Sequence, residues 1–429
     1  MSALIWFRND LRVIDNESVY NSTKNHNSII AYYNFNPKKF EETKWGFKKT
    51  ERFRAQFLIE SVSQLRNDLL KLNISLIVDN DSNYTLLNEL IKNRKIKDVY
   101  LQKEWTQEEI LEEKFIGSVN KIKFHYNYGQ FLFNPNDLNH NINQTPEIFS
   151  NFRKNCEKNI NVRPILPKPS ILDKNNLFNK NYVIPDLKKL GLKKIDHDDR
   201  SAFIFLGGTK EGEKRIDDYF WKTNHLSNYK LTRNGLIGKY YSSRLSTWLS
   251  NGSLSAKMIY WKVREYEKEI KKNQSTYWLI FELIWRDFFK YISIKHGNKI
   301  FHTQGILNKE YKWNQNMKLI QAWCNGKTKH QFINSNMNEL NKSGWMSNRG
   351  RQNVASYLAK ELNLDWRWGA RYFESQLIDY DVHSNYGNWM YVSGVGNDPR
   401  DRKFNIKFQA ERYDPSNKFQ NMWLQTRVF

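Results

Sequence analysis

Cysteine is scarce in this chain of 429 residues, which contains only Cys156 and Cys324. Two isolated cysteines cannot form a disulfide framework or a cysteine-based zinc site, so we expect a reducing environment. Long hydrophobic runs are also missing. The apolar run at residues 3–7 ends at Arg8 and is too short for a secretion signal, and no stretch approaches the length of a membrane span. The sequence therefore predicts a cytoplasmic protein with no membrane partner.

Glycine-rich phosphate-binding motifs are absent as well. No G-x-G-x-x-G follows the first candidate strand, and no P-loop occurs. The nearest approach, GGTKEGEK at residues 207–214, has its lysine one position late and lacks the following Ser or Thr. These absences exclude the usual dinucleotide and P-loop modes of nucleotide binding.

Acidic residues are in clear deficit. Asp and Glu number 45 against 68 Lys and Arg, which gives a formal net charge of +23. Clustered basic residues gain affinity for phosphates by releasing counterions, so this charge indicates a polyanionic partner such as DNA. A general enrichment in lysine explains part of the excess, but not its coincidence with the aromatic motifs described below.

The first third of the chain alternates short apolar runs with helical patterns. The helical stretch at 51–72 places its apolar residues on one face, and Thr106 with Glu109 reads as a capping box that opens another helix. This alternation predicts an α/β domain with a doubly wound parallel sheet. The candidate strands are residues 3–7, 29–35, 75–78, 99–102 and 122–126.

Composition changes after this domain. Six of the nine prolines fall between Pro135 and Pro185, which predicts a long connector rather than a packed unit. Twelve of the fifteen tryptophans lie from Trp221 onward, among long amphipathic patterns at 256–270, 277–296 and 353–361. We therefore predict an α/β domain at 1–134, a connector at 135–200 and an all-α domain at 201–429.

Three motifs interleave tryptophan, arginine, asparagine and carboxylate: ELIWRDFF at 282–289, GWMSNRGRQNVAS at 344–356, and DYDVHSNYGNWMYVSGVGNDPR at 379–400. Such a mixture suits a site that stacks on a flat conjugated ring, hydrogen-bonds its edge and carries charge. Each motif also has a plain structural interpretation, as a surface ion pair, a solvated basic helix or a helix cap. Asp379 and Asp381 lack the further ligands that a metal requires, so no metal is expected.

A serine-rich segment lies upstream of these motifs. Ser242, Ser243 and Ser246 surround Arg244 near a predicted helix start. Hydroxyls, backbone N–H groups and an arginine are suited to a pyrophosphate. On these residues alone an ordinary serine-rich helix cap is the better interpretation.

The three motifs, together with WFRNDLR at 6–12, resemble the photolyase/cryptochrome family over nearly the whole chain, and more closely its cryptochrome-DASH branch. The resemblance implies an antenna-binding α/β domain, an all-α FAD-binding domain and blue-light-driven repair of cyclobutane pyrimidine dimers by a monomer. It assigns FAD binding to Tyr229, Ser242, Ser243, Arg244, Leu245, Ser246, Glu282, Arg286, Asn348, Arg351, Asp379, Asp381 and Asn385, with Arg351 paired to Asp379.

The resemblance also assigns catalytic and accessory residues. The lesion pocket would contain Glu282, Trp285, Asn348, Gln352 and Tyr391, and electrons would reach the flavin through Trp313 near the surface, Trp366 and Trp389. Each tryptophan alone is more simply a core residue. Glu104 matches a folate-contacting glutamate, which suggests 5,10-methenyltetrahydrofolate as a second chromophore, although a solvated helix carboxylate explains it equally well.

Two positions indicate the substrate. Gln352 and Tyr391 stand where ordinary dimer photolyases tend to carry Met and Trp, so the pocket is more polar and stacks less strongly. Flipping a dimer out of duplex DNA costs a few kcal/mol, whereas flipping it out of a single strand costs little. A pocket that stacks weakly therefore favours single-stranded DNA as the substrate. The alternatives are a non-catalytic blue-light photoreceptor or DNA-binding regulator on the same flavin site, and a simple single-strand binder.

Overall fold

The N-terminal part of the chain forms the predicted parallel sheet. The computed structural model describes residues 2–178, 182–398 and 400–425. Each predicted strand is present, with bounds within one residue of those expected from the sequence. The strands are β1 (Ser2–Trp6), β2 (Ser28–Asn34), β3 (Leu76–Asp79), β4 (Asp98–Gln102) and β5 (Lys123–Asn127), in the order β3-β2-β1-β4-β5.

Helices cover both faces of this sheet, which confirms the doubly wound architecture. They are α1 (Glu17–Asn25), α2 (Arg52–Leu70), α3 (Thr85–Asn93) and α4 (Gln107–Val119). Ile5 and Phe7 pack on the side of α1 and α2, whereas Leu4 and Trp6 pack with residues of α3 and α4. Thr106 is the N-cap of α4 as predicted, but its hydroxyl bonds to the carboxylate of Glu109 and no side-chain cap to the backbone forms.

The order of the strands creates a crevice. From β1 the chain first adds β2 and β3 on one side and then adds β4 and β5 on the other, so the strand order reverses between β1 and β4. Ligands of open α/β sheets bind outside the carboxyl ends of the strands at such a point. Residues Phe7 to Asn9 follow β1 here, and Gln102 to Glu104 end β4. The crevice opens toward the helical domain.

The C-terminal part is all-helical, as predicted, with single wide π-helical turns at Asp218–Lys222 and Tyr357–Glu361. Its helices are α6 (Thr209–Asp217), α7 (Tyr229–Thr232), α8 (Ser246–Ser250), α9 (Ala256–Glu269), α10 (Gln274–His296), α11 (Met317–Cys324), α12 (Gln331–Ser343), α13 (Asn348–Ser356), α14 (Trp366–Gln376), α15 (Val382–Ser393), α16 (Ile406–Tyr413) and α17 (Lys418–Leu424). In the described ranges, no helix is long and apolar enough to cross a membrane.

The segment predicted as a connector is partly packed, which corrects that expectation. It contains α5 (Phe149–Asn159), and Phe149, Phe152 and Cys156 are buried in the main core of the helical domain. The prolines led to the prediction of a connector, but they flank this helix and do not interrupt it. The predicted boundary at residue 134 stays a prediction.

Buried polar contacts fix the two domains together. Lys257 Nζ on α9 lies 2.7 Å from Asp15 Oδ1, and both side chains are almost fully buried. Arg12 donates to the carbonyl of Gly252 at 2.9 Å. Asp287 on α10 accepts the backbone N–H groups of residues 132 and 133 at 2.8–3.1 Å. Because a buried charge without its partner is costly, these pairs hold the domains in one orientation.

Candidate functional site

One cavity in the helical domain gathers most of the residues assigned from the sequence. Its walls come from α7, the segment 241–246, α10, the start of α13 and the start of α15. The lining includes Tyr229, Ser242, Ser243, Arg244, Leu245, Ser246, Glu282, Arg286, Asn348, Arg351, Asp379 and Asp381. A neighbouring cavity shares Asn348, Arg351, Asp379 and Asp381 and adds Gln352, Asn385 and Trp389. Residues as distant in sequence as Tyr229 and Trp389 therefore line two neighbouring cavities.

Arg351 and Asp379 form the predicted ion pair. Arg351 donates to both carboxylate oxygens of Asp379 at 2.9 and 3.0 Å, and Ser246 Oγ donates to Asp379 Oδ2 at 2.7 Å. The side chain of Asp379 is 3% exposed, so this charge-assisted network is held in a low-dielectric wall of the cavity.

Arg244 lines the same cavity. Its backbone has φ of +58°, and its guanidinium lies between the rings of Tyr241 and Trp345, 4.8 and 4.9 Å from their centroids. Its Nε is buried and has no hydrogen-bond partner among the described residues. A buried guanidinium N–H of this kind indicates that an anionic or polar ligand group completes the site.

Glu282 is engaged by a residue that the sequence did not reveal. Arg233, just after α7, lies 2.8 Å from Glu282 Oε1. Burial raises the pKa of Glu282, and the positive charge of Arg233 opposes that rise. Both line the cavity, so a ligand that reaches Glu282 also meets Arg233.

Asp381 carries a second ion pair that sequence reasoning missed. Its Oδ1 accepts the N–H of Ser384 as the N-cap of α15, and its Oδ2 lies 2.8 Å from Lys290 Nζ. Burial works to raise the pKa of Asp381, but the charges of Lys290 and Arg286 hold it well below its usual range. Asp381 is therefore an anion in the cavity wall. Extending the helical spacing of Glu282 and Arg286 by one turn would have pointed to Lys290.

Asn385 and Trp389 close the inner end of the space. Asn385 Nδ2 donates to the carbonyl of Ala370 at 2.9 Å, which leaves its carbonyl oxygen for the cavity. Trp389 is buried, and a Cβ at Gly369 would lie 2.0 Å from its indole ring. Only glycine lets α14 approach Trp389 so closely.

The three tryptophans of the proposed relay lie at different depths. Trp389 and Trp366 are buried, and Trp313 is half-buried as predicted. Their ring neighbours are other aromatics: Phe373 at 5.1 Å from Trp389, Tyr386 at 6.0 Å from Trp366, and Tyr311 at 5.1 Å from Trp313. Electron transfer among the three stays a prediction.

The proposed lesion pocket has aromatic walls. The ring of Trp285 lies edge-on to Tyr391 with centroids 6.0 Å apart and stacks parallel on Phe149 at 3.6 Å. Phe288 and Phe289 also contact it, at 5.6 and 5.5 Å. Phe149 comes from α5, inside the segment predicted as a connector. One face of Trp285 is therefore already covered, and Gln352 lies in the adjoining cavity.

A second cavity, of about 300 Å³, occupies the crevice at the carboxyl ends of β1, β2 and β4, between the domains. Glu104 lines it, with Gln102, Gln130 and His383. Gln102 Oε1, Gln130 Oε1 and His383 Nε2 are buried without partners among the described residues. Four polar side chains, those of Glu104, Gln102, Gln130 and His383, therefore line one cavity, which suits a ligand with a polar edge.

The protonation of this second cavity follows from its contacts. Burial raises the pKa of Glu104 to about 7, against the charges of Arg8 and Lys290. Ser293 Oγ accepts from Trp105 Nε1 at 3.0 Å and lies 2.8 Å from His383 Nδ1. Burial keeps the pKa of His383 well below its usual value, so this imidazole is neutral, with one ring nitrogen as donor and the other as acceptor.

Comparison with known proteins agrees with this geometry. The model of the FAD binding domain of DNA photolyase matches residues 278–426, and the DNA photolyase model matches residues 3–170. A cryptochrome DASH of Synechocystis is 42% identical over 99% of this chain and 87% of its own length. The Arabidopsis thaliana chloroplastic/mitochondrial cryptochrome DASH is 40% identical, covering 98% and 75%.

Solved structures give the same result. The crystal structure of a Synechocystis cryptochrome superposes with a TM-score of 0.94 at 42% identity, covering 99% of this chain and 88% of the other. An archaeal photolyase from Sulfolobus tokodaii, described with two FAD molecules, gives 0.80 at 26% identity, covering 99% and 90%.

FAD is thus the cofactor of the helical domain, whose cavity offers the arginines and hydroxyls that a dinucleotide requires. The family's chemistry is that of DNA photolyases. Because the sequence is 42% identical to a cryptochrome DASH over 99% of its length, the chain belongs to the photolyase/cryptochrome family and, within it, to the cryptochrome DASH class.

Proposed function

We propose that this protein repairs cyclobutane pyrimidine dimers in DNA under blue light, mainly in single strands. When bound, reduced FAD supplies the photochemistry: it gives one electron to the dimer and recovers it after the ring opens. The protein's part is to hold the cofactor, present the dimer and exclude water.

Different residues of the cavity would bind the two parts of the cofactor. Ser242, Ser243, Arg244 and the backbone through Leu245 would hold the diphosphate, with Tyr229 beside them. Asp381, Asn385 and the pair of Arg351 with Asp379 would bind the polar edge of the ring system. Buried ion pairs are already formed before a ligand arrives, so these groups need little reorganisation.

Substrate binding would fall to the opposite wall. Glu282 and Asn348 would carry the polar groups there, and Trp285 with Tyr391 would offer aromatic surface. Because Phe149 covers one face of Trp285, stacking on a flipped dimer is limited to the remaining surface. Weak stacking does not repay the cost of opening a duplex, which supports a preference for single strands.

The second cavity would hold 5,10-methenyltetrahydrofolate as an antenna. A pterin edge alternates N–H donors with acceptors. Glu104 and the side-chain oxygens of Gln102 and Gln130 can accept from such an edge, and the neutral imidazole of His383 can pair with it through Nε2. One chain contains every residue of both cavities, so a single chain is the proposed catalytic unit.

The observation that carries the repair proposal is the position of Glu282. It lies in the wall of the FAD cavity, one helical turn from Trp285, and is paired with Arg233, with its side chain 28% exposed. Because burial raises the pKa of Glu282, its carboxyl group can take up a proton and donate it in a hydrogen bond to the carbonyl of a pyrimidine.

The test compares Glu282→Ala with Glu265→Ala, which removes an exposed carboxylate of α9. Glu282→Ala is expected to keep the flavin spectrum, lose most repair per photon and lose discrimination between dimer-containing and undamaged strands. Glu265→Ala should behave as wild type. Absence of repair by the fully reduced wild-type protein would reject the enzyme and favour a photoreceptor on the same flavin site.

A further inference from the structure

Tyr311 lies beside Trp313, the tryptophan of the proposed relay that is nearest the surface. Their ring centroids are 5.1 Å apart, with the ring planes inclined by 35°. A tight turn produces this pairing, because Trp313 N–H donates to the carbonyl of Tyr311 at 3.1 Å. Asn314 N–H donates to the carbonyl of Asn363, just before Trp366, which holds the turn against the start of α14. Tyr311 is therefore placed one ring beyond the expected end of the relay.

The hydroxyl of Tyr311 has a proton acceptor. It donates to Asp401 Oδ2 at 3.2 Å, and Asp401 Oδ1 is paired with Lys360 Nζ. Burial works to raise the pKa of Asp401, but the hydrogen bond and charge of Lys360 lower it overall, so Asp401 is ionised at neutral pH. A Cβ at Gly394 would lie 2.9 Å from Tyr311 Oη, so the backbone at the end of α15 covers this hydroxyl. The phenol proton therefore has one fixed acceptor.

The indole N–H of Trp313 has no such acceptor. Its Nε1 is buried and lacks a hydrogen-bond partner among the residues described. An oxidised indole that cannot release its proton stays a radical cation, which is a stronger oxidant than the neutral radical formed by deprotonation. Loss of an electron from Trp313 therefore leaves a centre that can oxidise a neighbouring phenol.

We propose that Tyr311 is the final electron donor of the relay and that Asp401 accepts its proton. The proposal rests on the light-driven flavin chemistry proposed above and on electron transfer through Trp313. One electron passes from Tyr311 to the radical cation of Trp313, while the Oη–H bond breaks and the proton binds to Asp401 Oδ2. The products are neutral Trp313, a neutral tyrosyl radical and protonated Asp401, so charge and atoms balance.

The donor can be restored from solution. Tyr311 and Asp401 are both partly exposed. A soluble thiol therefore returns one hydrogen atom to the tyrosyl radical, and Asp401 releases its proton to water.

Coupling the electron to a proton gives Tyr311 a function that Trp313 lacks. Lys360 Nζ lies 4.9 Å from the centroid of the Tyr311 ring. This positive charge opposes the loss of an electron unless the proton leaves as well, so the two particles move together. The reverse step must also move both particles, which prolongs the charge separation and raises the yield of reduced flavin per photon.

Transient EPR of the illuminated, flavin-loaded protein tests the donor. Wild-type protein should show a tyrosyl radical whose hyperfine pattern narrows when its tyrosines are ring-deuterated, and Tyr311→Phe should lose this signal and leave a tryptophan radical. Tyr260→Phe is the matched control and should keep the wild-type signal, because Tyr260 also lies beside a tryptophan and an arginine but outside the relay. A tyrosyl signal that survives Tyr311→Phe, or its absence from wild type, overturns the proposal.

Asp401→Asn tests the proton acceptor, because the amide keeps the size of the carboxylate but not its basicity. Formation of the tyrosyl radical, followed by transient absorbance, should slow by at least about a hundredfold, the usual contribution of a positioned proton acceptor. In wild type the same step should slow in D2O, because the proton moves with the electron. Equal rates in Asp401→Asn and wild type contradict the assignment of Asp401.

Trp313→Phe separates this proposal from the relay on which it rests. It should remove the tyrosyl signal and slow photoreduction of the flavin, because Tyr311 is reached only through Trp313. Unchanged photoreduction in Trp313→Phe would reject the relay, and the proposal with it. Photoreduction that depends on Trp313 but yields no tyrosyl radical would reject the role of Tyr311 alone.

Discussion

Replacing Lys290 with methionine tests how the FAD cavity is held together. Lys290 Nζ and Asp381 Oδ2 lie 2.8 Å apart, with side chains only 4% and 11% exposed. Lys290→Met keeps the volume but leaves the Asp381 carboxylate buried without its main counter-charge. Removing one partner of a buried pair costs about 3–5 kcal/mol. We expect a loss of that size in the free energy of unfolding, measured by urea denaturation at pH 8.

The pH dependence gives the sign of the effect. With Lys290 present, the pKa of Asp381 in the folded protein lies below its pKa in the unfolded chain. The ion pair therefore stabilises the fold at pH values above the unfolded pKa, and this stabilisation is lost as pH falls toward the folded pKa. Without Lys290, burial dominates and the pKa of Asp381 rises. The difference between variant and wild type should therefore be largest at pH 8 and shrink toward pH 4.

Two further variants make the result decisive. Lys262→Met removes a pair whose side chains are 47% and 44% exposed, so it should cost no more than about 1 kcal/mol. Adding Asp381→Asn to Lys290→Met should recover much of the loss, because no buried charge is left. A Lys290→Met protein as stable as Lys262→Met at pH 8 would refute the reasoning.

Three other predictions concern the cofactors. Trp389→Phe should abolish photoreduction while FAD stays bound and the chemically reduced protein still repairs; normal photoreduction followed by absorbance would show that Trp389 only packs. Folate affinity, measured by fluorescence titration, should fall as pH drops below about 7, because Glu104 must be ionised to accept from the ligand, and Glu104→Gln should remove this dependence. Arg233→Ala should raise the pKa of Glu282 further, so the alkaline limit of dimer binding should move upward; an unchanged limit would mean that Glu282 binds no dimer.

Local patterns were sufficient for most of the fold. The strands were located within one residue because buried parallel strands are short apolar runs between turn signals. The motif residues from 282 to 389 were brought to one cavity because they lie on helices that face each other.

Ion pairs between residues far apart in the chain could not be predicted from the sequence. Lys290 is 91 residues from Asp381, and although it lies one helical turn beyond Arg286, nothing in the sequence identifies Asp381 as its partner. Arg233 likewise meets Glu282 only in the folded state. Helix α5 was missed because its flanking prolines read as a connector, although Phe149 completes the wall around Trp285.

Light-driven repair of one dimer-containing oligonucleotide, offered as a single strand and as a duplex, tests the central claim most directly. With reduced flavin and equal illumination, the account predicts efficient repair of the single strand and much slower repair of the duplex. Equal repair of both forms would contradict the proposed cost of flipping, and repair of neither would contradict the enzymatic function itself.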